Sequence, residues 1–230
     1  MKLKILLIVL MFSLLALTSC TPRVKIKLND KNEVFVDIDI THTDSTKRLI
    51  KSLNNLGDSS MFEGKDENIE NVKGDDGVEI LRLKKSSELD ISAKFKFSNT
   101  SQLYASLFSV DKKEQRMIFS LNRSTINVFF EQISKEDKEY LDLLMAPSLQ
   151  NTKMSEDEYI VLLANAYGSK VSQELKTSHL YLIFEMPKKI KKVQFTPLSQ
   201  HKINGNKVEI HLPLTRVLVM NKDIEIIIDY

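Results

Sequence analysis

The sequence predicts an α+β fold with mainly antiparallel sheet. Three observations lead there. Runs of period-two alternation come in adjacent pairs, short capped helical patterns separate those pairs, and a helical pair lies near 134–167.

In chain order, Val24, Ile26 and Leu28 alternate with Arg23, Lys25 and Lys27, and Val34, Val36, Ile38 and Ile40 alternate with Phe35, Asp37 and Asp39. For the apolar residues to share a face, Leu28 must lie opposite Val34. That parity requires an odd loop, met by Asp30, Lys31 and a left-handed Asn32. The same register sets Lys25 across from Asp37 and Arg23 across from Asp39, opposite charges facing on the wet side. Thr43 or Asp44 then caps a helix through Leu56, with Leu49, Ile50, Leu53 and Leu56 as its stripe and Gly57 as its stop. Val78 to Lys84 and Leu89 to Phe97 form a second strand pair, and Asn99 or Thr100 caps a short helix through about Phe108. Met117 to Leu121 and Ile126 to Phe130, joined around "NRST", read as a third pair, with a helix from Ser134 to Met145 after it. Three β-β-α units in a row suggest an architectural repeat. Ser155 to Tyr167 is the second helix of the pair; each opens on Ser followed by acidic residues. Strands follow near Leu180 to Met186, Lys189 to Phe195, Lys207 to Leu212 and Asp223 to Asp229. "INGN" (Ile203 to Asn206) is a turn, and Pro213 starts a helical turn through Val219. Residues 24–230 are expected to form a single domain that admits a sub-division near 131–178.

Residues 57–77 stand apart. They hold four of the six glycines, and seven acids against Lys65 and Lys73, and are expected to be a flexible acidic loop.

The beginning of the chain is an address. Lys2 and Lys4 precede an apolar run from Ile5 to Leu17, a charged region followed by a hydrophobic one. Thirteen residues make a helix only about 20 Å long, against ~30 Å of hydrocarbon. Leu17, Thr18, Ser19 and Cys20 follow: a branched apolar residue, two small residues, then the only cysteine of the chain. This stretch resembles the lipobox of bacterial lipoproteins. The resemblance covers the leader alone. It implies that residues 1–19 are a signal peptide cut between Ser19 and Cys20, and that the Cys20 thiol carries a diacylglycerol. Several acyl chains at ~0.8 kcal/mol per buried methylene would make anchoring effectively permanent. Residues 20–23 would then be a short lipidated tether, about 12 to 15 Å at full extension, holding the domain close to a membrane of the cell envelope on its exported side. Thr21 is not the aspartate that retains lipoproteins at the inner membrane in some bacteria, so which membrane is left open.

Without residues 1–19, about 210 residues remain, enough for a sizeable core. No cysteine is left for crosslinks, so packing must hold the domain. The charge is balanced once Lys2 and Lys4 leave, with no basic excess for nucleic acid.

The candidate sites divide the same way. Asp66, Asn68 and Glu70 alternate as a calcium loop begins, but Asn71 stands where that loop needs Gly and Gly77 where it needs Glu. His42, His179, His201 and His211 are far apart, although His201 and His211 flank one hairpin and could approach each other; no metal is expected. There is no G-x-S-x-G elbow and no glycine-rich phosphate loop, so neither catalytic residues nor a cofactor are assigned. "PKKIKK" (Pro187 to Lys192) offers Lys188, Lys189, Lys191 and Lys192 as candidate membrane-surface contacts, or as a solvated connection that protects a sheet edge. The helix from Ser155 to Tyr167 is apolar around most of its circumference and needs cover on two sides. These residues fit first a non-catalytic envelope lipoprotein that binds a protein partner or small ligand. A membrane-anchored hydrolase using carboxylates and a lipid-handling module are the alternatives. Convergent acids in a pocket would favour the former, a continuous apolar cavity the latter.

Overall fold

A computed structural model describes residues 22–40, 68–73, 77–85, 91–99, 101–131, 147, 153–196 and 200–230. The first hairpin follows from side-chain parity. β1 (Arg23–Leu28) and β2 (Val34–Ile40) pair antiparallel with Leu28 opposite Val34, Lys25 opposite Asp37 and Arg23 opposite Asp39. Asn29 N donates to Glu33 O (3.1 Å) and Asn32 N to Asn29 O (3.0 Å), while Asn32 sits at φ 64. The Asn29 side chain accepts from the main-chain N–H groups of Lys31 and Glu33, which holds the three-residue loop.

The ion pairs, however, form with other strands. Lys25 reaches Glu185 at 3.0 Å, and Asp37 receives Lys94 at 3.5 Å. β1 and β2 are both interior strands with neighbours on each side, so a long side chain chooses among several partners.

The further strands are β3 (Asn68–Lys73), β4 (Val78–Lys85), β5 (Ile91–Phe97), β6 (Phe108–Asp111), β7 (Arg116–Leu121), β8 (His179–Glu185), β9 (Lys192–Thr196), β10 (Gln200–Asn204), β11 (Lys207–Pro213) and β12 (Ile224–Asp229). Five helices lie among the described residues: α1 (Gln102–Leu107), α2 (Arg123–Glu131), α3 (Glu156–Tyr167), α4 (Ser169–Thr177) and α5 (Leu214–Val219). One sheet has eight strands in the order β10-β11-β8-β1-β2-β5-β4-β3, and the other four, β6-β7-β12-β9. The fold is therefore α+β and mainly antiparallel, with β1 and β8 the one parallel pair among the described strands.

The inner faces of the two sheets make the core. Ile26, Val36, Phe95 and Phe184 on the larger sheet and Met117, Phe119, Ile226 and Ile228 on the smaller are all buried. Ring contacts cross between them, with centroids of Phe97 and Phe108 6.2 Å apart, Phe108 and Phe119 5.7 Å, and Phe119 and Phe184 5.7 Å.

Several expectations are corrected. Part of the acidic stretch 57–77 is strand: β3 pairs with β4, with Glu70 at the register position of Arg82 and Lys73 at that of Glu79. The short helix is capped by Ser101, whose Oγ accepts from Tyr104 N, and it ends at Leu107, because Phe108 already belongs to β6. Residues 126–130, read as a strand, are helix α2. Asn122 opens it: its Oδ1 accepts from Thr125 N (2.9 Å) and from Thr125 Oγ1 (3.1 Å), which outweighs the strand preference of the β-branched residues that follow. β7 pairs instead with β6 and β12, so the third β-β-α unit does not exist. β9 begins at Lys192 rather than Lys189, and β10 and α4 are further elements. The helices expected at 43–56 and 134–145 lie outside the described residues.

α3 opens as expected. Ser155 Oγ accepts from Glu158 N, and the Glu158 carboxylate accepts from Ser155 N at 2.7 Å, closing a capping box. The bonds that the Glu158 carboxylate accepts from Ser155 N and from Ser155 Oγ hold it below the usual carboxylate range. One face, with Tyr159, Ile160 and Leu163, is buried where α3 packs on α4 and α5, whereas Val161 is 60% exposed. The apolar circumference is thus covered on one side only among the described elements.

Gly168, between α3 and α4, has φ 88 and ψ 158, a conformation that essentially only glycine adopts. An added Cβ would meet nothing within 4 Å, so Gly168→Ala tests backbone strain alone. It is expected to lower unfolding free energy by about 1–3 kcal/mol in denaturant titration.

Candidate functional site

The end of the large sheet where β1 begins follows directly on the lipobox. Ser19 and Cys20 lie outside the described residues, but Pro22 is buried and its carbonyl oxygen accepts from Tyr181 N at 3.0 Å. Arg23 pairs with Asp39 on one side and Tyr181 on the other. The described part of the chain thus begins at Pro22, two residues after Cys20. Full extension from Cys20 to Pro22 covers at most about 7 Å. Around this rim Arg23 and Lys84 are exposed, and neither has an ion-pair partner among the described residues.

The four lysines of Pro187 to Lys192 sit elsewhere. They follow the opposite end of β8, five residues beyond Tyr181 at Met186, about 16 Å along the strand. Here the chain crosses from the larger sheet to the smaller. Met186 N donates to Asn206 O (2.9 Å), Asn206 Nδ2 returns a bond to Met186 O (2.8 Å), and buried Ile190 donates to Gly205 O (3.0 Å). Lys191 Nζ donates to Tyr230 O at 2.9 Å and Gln115 Oε1 at 3.2 Å. Lys188, Lys189 and Lys192 are exposed, and Lys192 lies opposite Asp229. Arg116 at 2.7 Å holds the Asp229 carboxyl below its ordinary range, with Lys192 and Lys191 adding to the effect.

The strongest charge cluster lies at that second end, on the polar face of the sheet. Glu185, 15% exposed at its side chain, is met by Lys25 Nζ at 3.0 Å, Lys27 Nζ at 3.3 Å and Lys207 Nζ at 3.4 Å. Burial raises the Glu185 carboxyl, but Lys25 and then Lys27 overcome it and bring it down to about 2. A carboxylate held this low stays ionised near neutrality and has no proton to give as a general acid. Sequence spacing could not reveal the cluster, because β1, β8 and β11 meet only through the fold. The one local signal was the alternate lysines of β1.

His201 and His211 do not converge. Gln200 lies opposite His211 and His201 opposite Ile210, so the two rings project from opposite faces of the hairpin. His211 packs on Tyr181 (4.4 Å between centroids) with Nε2 3.0 Å from Glu209 Oε1, while His201 packs on Phe195 at 4.9 Å. Among the described residues no group of three or more His, Cys, Asp or Glu is arranged to hold a metal. Nor is any described helix long and apolar enough to cross a membrane.

Fold and rim together define a class: an α+β domain whose central strand follows a lipobox-like leader within two residues. No known family profile matches the chain, and no curated protein matches it. Among solved structures it is similar to the NMR structure of the folded domain of LppM from Mycobacterium tuberculosis. The identity is 9%, over 92% of this chain and 90% of that one, with a TM-score of 0.38.

Proposed function

We propose that this chain is a lipid-anchored protein of the bacterial cell envelope, on the exported side of its membrane, and that its domain is a non-catalytic binding or interaction module. One observation carries the proposal: Leu17-Thr18-Ser19-Cys20 falls directly after a charged and then apolar leader, where lipid attachment requires it. The buried Pro22 supports it, since a sheet that starts two residues later leaves a short tether of the kind a close anchor needs. A partner-binding role is supported by β10, an edge strand with all five residues exposed and Ile203 43% exposed. Metabolic labelling with a fatty-acid analogue is expected to mark the wild-type protein and to be lost in Cys20→Ala. Equal labelling of the two overturns the proposal.

A further inference from the structure

Resting on the interaction-module reading, we infer that the outer edge of β10 takes up an extended segment of a partner protein as an added strand of the large sheet, and that this segment alternates apolar residues with acidic ones. β10 ends the order of the eight strands, with β11 on one side only, and all five of its residues are exposed.

The hairpin decides which groups the edge offers. Gly205 (φ 62) and Asn206 form a two-residue turn with glycine first, and such a turn closes on a hydrogen-bonded pair, here Asn204 with Lys207. Bonded and non-bonded pairs alternate from there. Lys202 and Gln200 therefore also point their main-chain groups at β11, while the N–H and C=O groups of His201 and Ile203 point outward. No described strand pairs with that side. Two donors and two acceptors stand at the spacing an added strand requires.

Side-chain parity sets the chemistry of the guest. His201 and Ile203 share the inner face of β10. There Ile203 is exposed, the His201 ring packs on Phe195, and Val193 and Phe195 of β9 are only partly buried against the core. Apolar side chains on the inner face of a guest strand cover that lip. Gln200, Lys202 and Asn204 share the outer face. Lys202 has no ion-pair partner among the described residues, because Glu209 opposite it holds His211 at 3.0 Å. Beside the turn, Lys188 and Lys189 are exposed, close to where Gly205 O accepts from Ile190 N. Acidic side chains on the outer face of the guest meet these three cations. A second copy of this chain fits less well. The fully overlapping two-fold pairing of β10 with itself sets Lys202 against Lys202 in a non-hydrogen-bonded pair, where side chains stand closest.

The test uses the full-length protein in mild detergent and fluorescein-labelled nonapeptides of alternating valine and glutamate, or valine and lysine, read by anisotropy. The glutamate peptide is expected to bind, and the lysine peptide to bind about fivefold more weakly or worse. Ile203→Pro removes one outward N–H and spares the ladder to β11, so it should weaken binding about fivefold or more at a near wild-type unfolding midpoint. Lys202→Glu leaves the backbone alone and should reverse the preference between the peptides, which decides the matter if Ile203→Pro does not fold. Binding of neither peptide, equal binding of both, or an unreversed preference in Lys202→Glu overturns the acidic guest. Unchanged binding by a folded Ile203→Pro protein overturns the added strand. Dimers that are lost in Ile203→Pro, with both peptides ignored, overturn a foreign strand in favour of a second copy. The reading beneath is tested separately, by benzoylphenylalanine placed at Ile203 or at Val161 and irradiated in intact envelopes. A protein adduct from Val161 alone, with no peptide binding, overturns the β10 inference and leaves an interaction module standing; adducts from neither position overturn both.

Discussion

Phe184→Ala is expected to cost about 3–5 kcal/mol of unfolding free energy, a large share of the ~5–15 kcal/mol that domains possess. Phe184 is fully buried on β8, and its ring lies 5.7 Å from Phe119 of the smaller sheet, tilted by 64°. Truncation removes that aromatic contact and opens a cavity at the seam between the sheets, where rigid strands on both sides prevent collapse. Denaturant unfolding followed by circular dichroism reads the effect. Val161→Ala is the contrast: at 60% exposure it should stay within about 0.5 kcal/mol of wild type. A Phe184→Ala protein that unfolds at the wild-type midpoint would mean that the two sheets do not share a core there.

Acid should weaken the domain, with Glu185 as a main contributor. Its folded-state carboxyl lies at about 2 against an ordinary 4.5. A depressed value means that the stabilisation is fully present above pH 4.5 and is lost as pH falls toward 2. The shift corresponds to at most about 3 kcal/mol, and to about 2 kcal/mol once allowance is made for solvent around the half-exposed lysines. Glu185→Gln, which also leaves Lys25, Lys27 and Lys207 facing one another, should therefore lose about 2 kcal/mol at pH 7 and match the wild type near pH 2. Glu33, held low by Lys96, and Asp229, held low by Arg116, push in the same direction. A gap between Glu185→Gln and wild type that is unchanged from pH 7 to pH 2 would exclude this account.

Local rules carried well where neighbours in sequence are neighbours in space. The β1–β2 register, the left-handed Asn32, the α3 capping box and the Pro213-led helix all depend on contacts within a few residues. They failed where the decisive partner is remote. Residues 126–130 carry β-branched and aromatic side chains, yet Asn122 caps them into a helix and β12 takes the place opposite β7. Asn68–Lys73 looked like part of an acidic loop because the segment was read alone, while its pairing with β4 makes it a strand. The strand that follows the lipobox-like stretch was legible. That the basic stretch lies at the other end of the domain was not, because only the parallel pairing of β1 with β8 sets that distance. The Glu185 cluster was hidden for the same reason.

That parallel pairing also bears on how the molecule comes to be made. β1 emerges first and can close its hairpin with β2 at once, but its other flank waits for β8, about 160 residues later in synthesis, and the loop to be closed is long. Until then a strand bound for the middle of a sheet has one edge open. Synthesis therefore leaves an interval in which an unpaired strand is exposed to its neighbours, and a chaperone that shields Arg23–Leu28 would act before β8 is made.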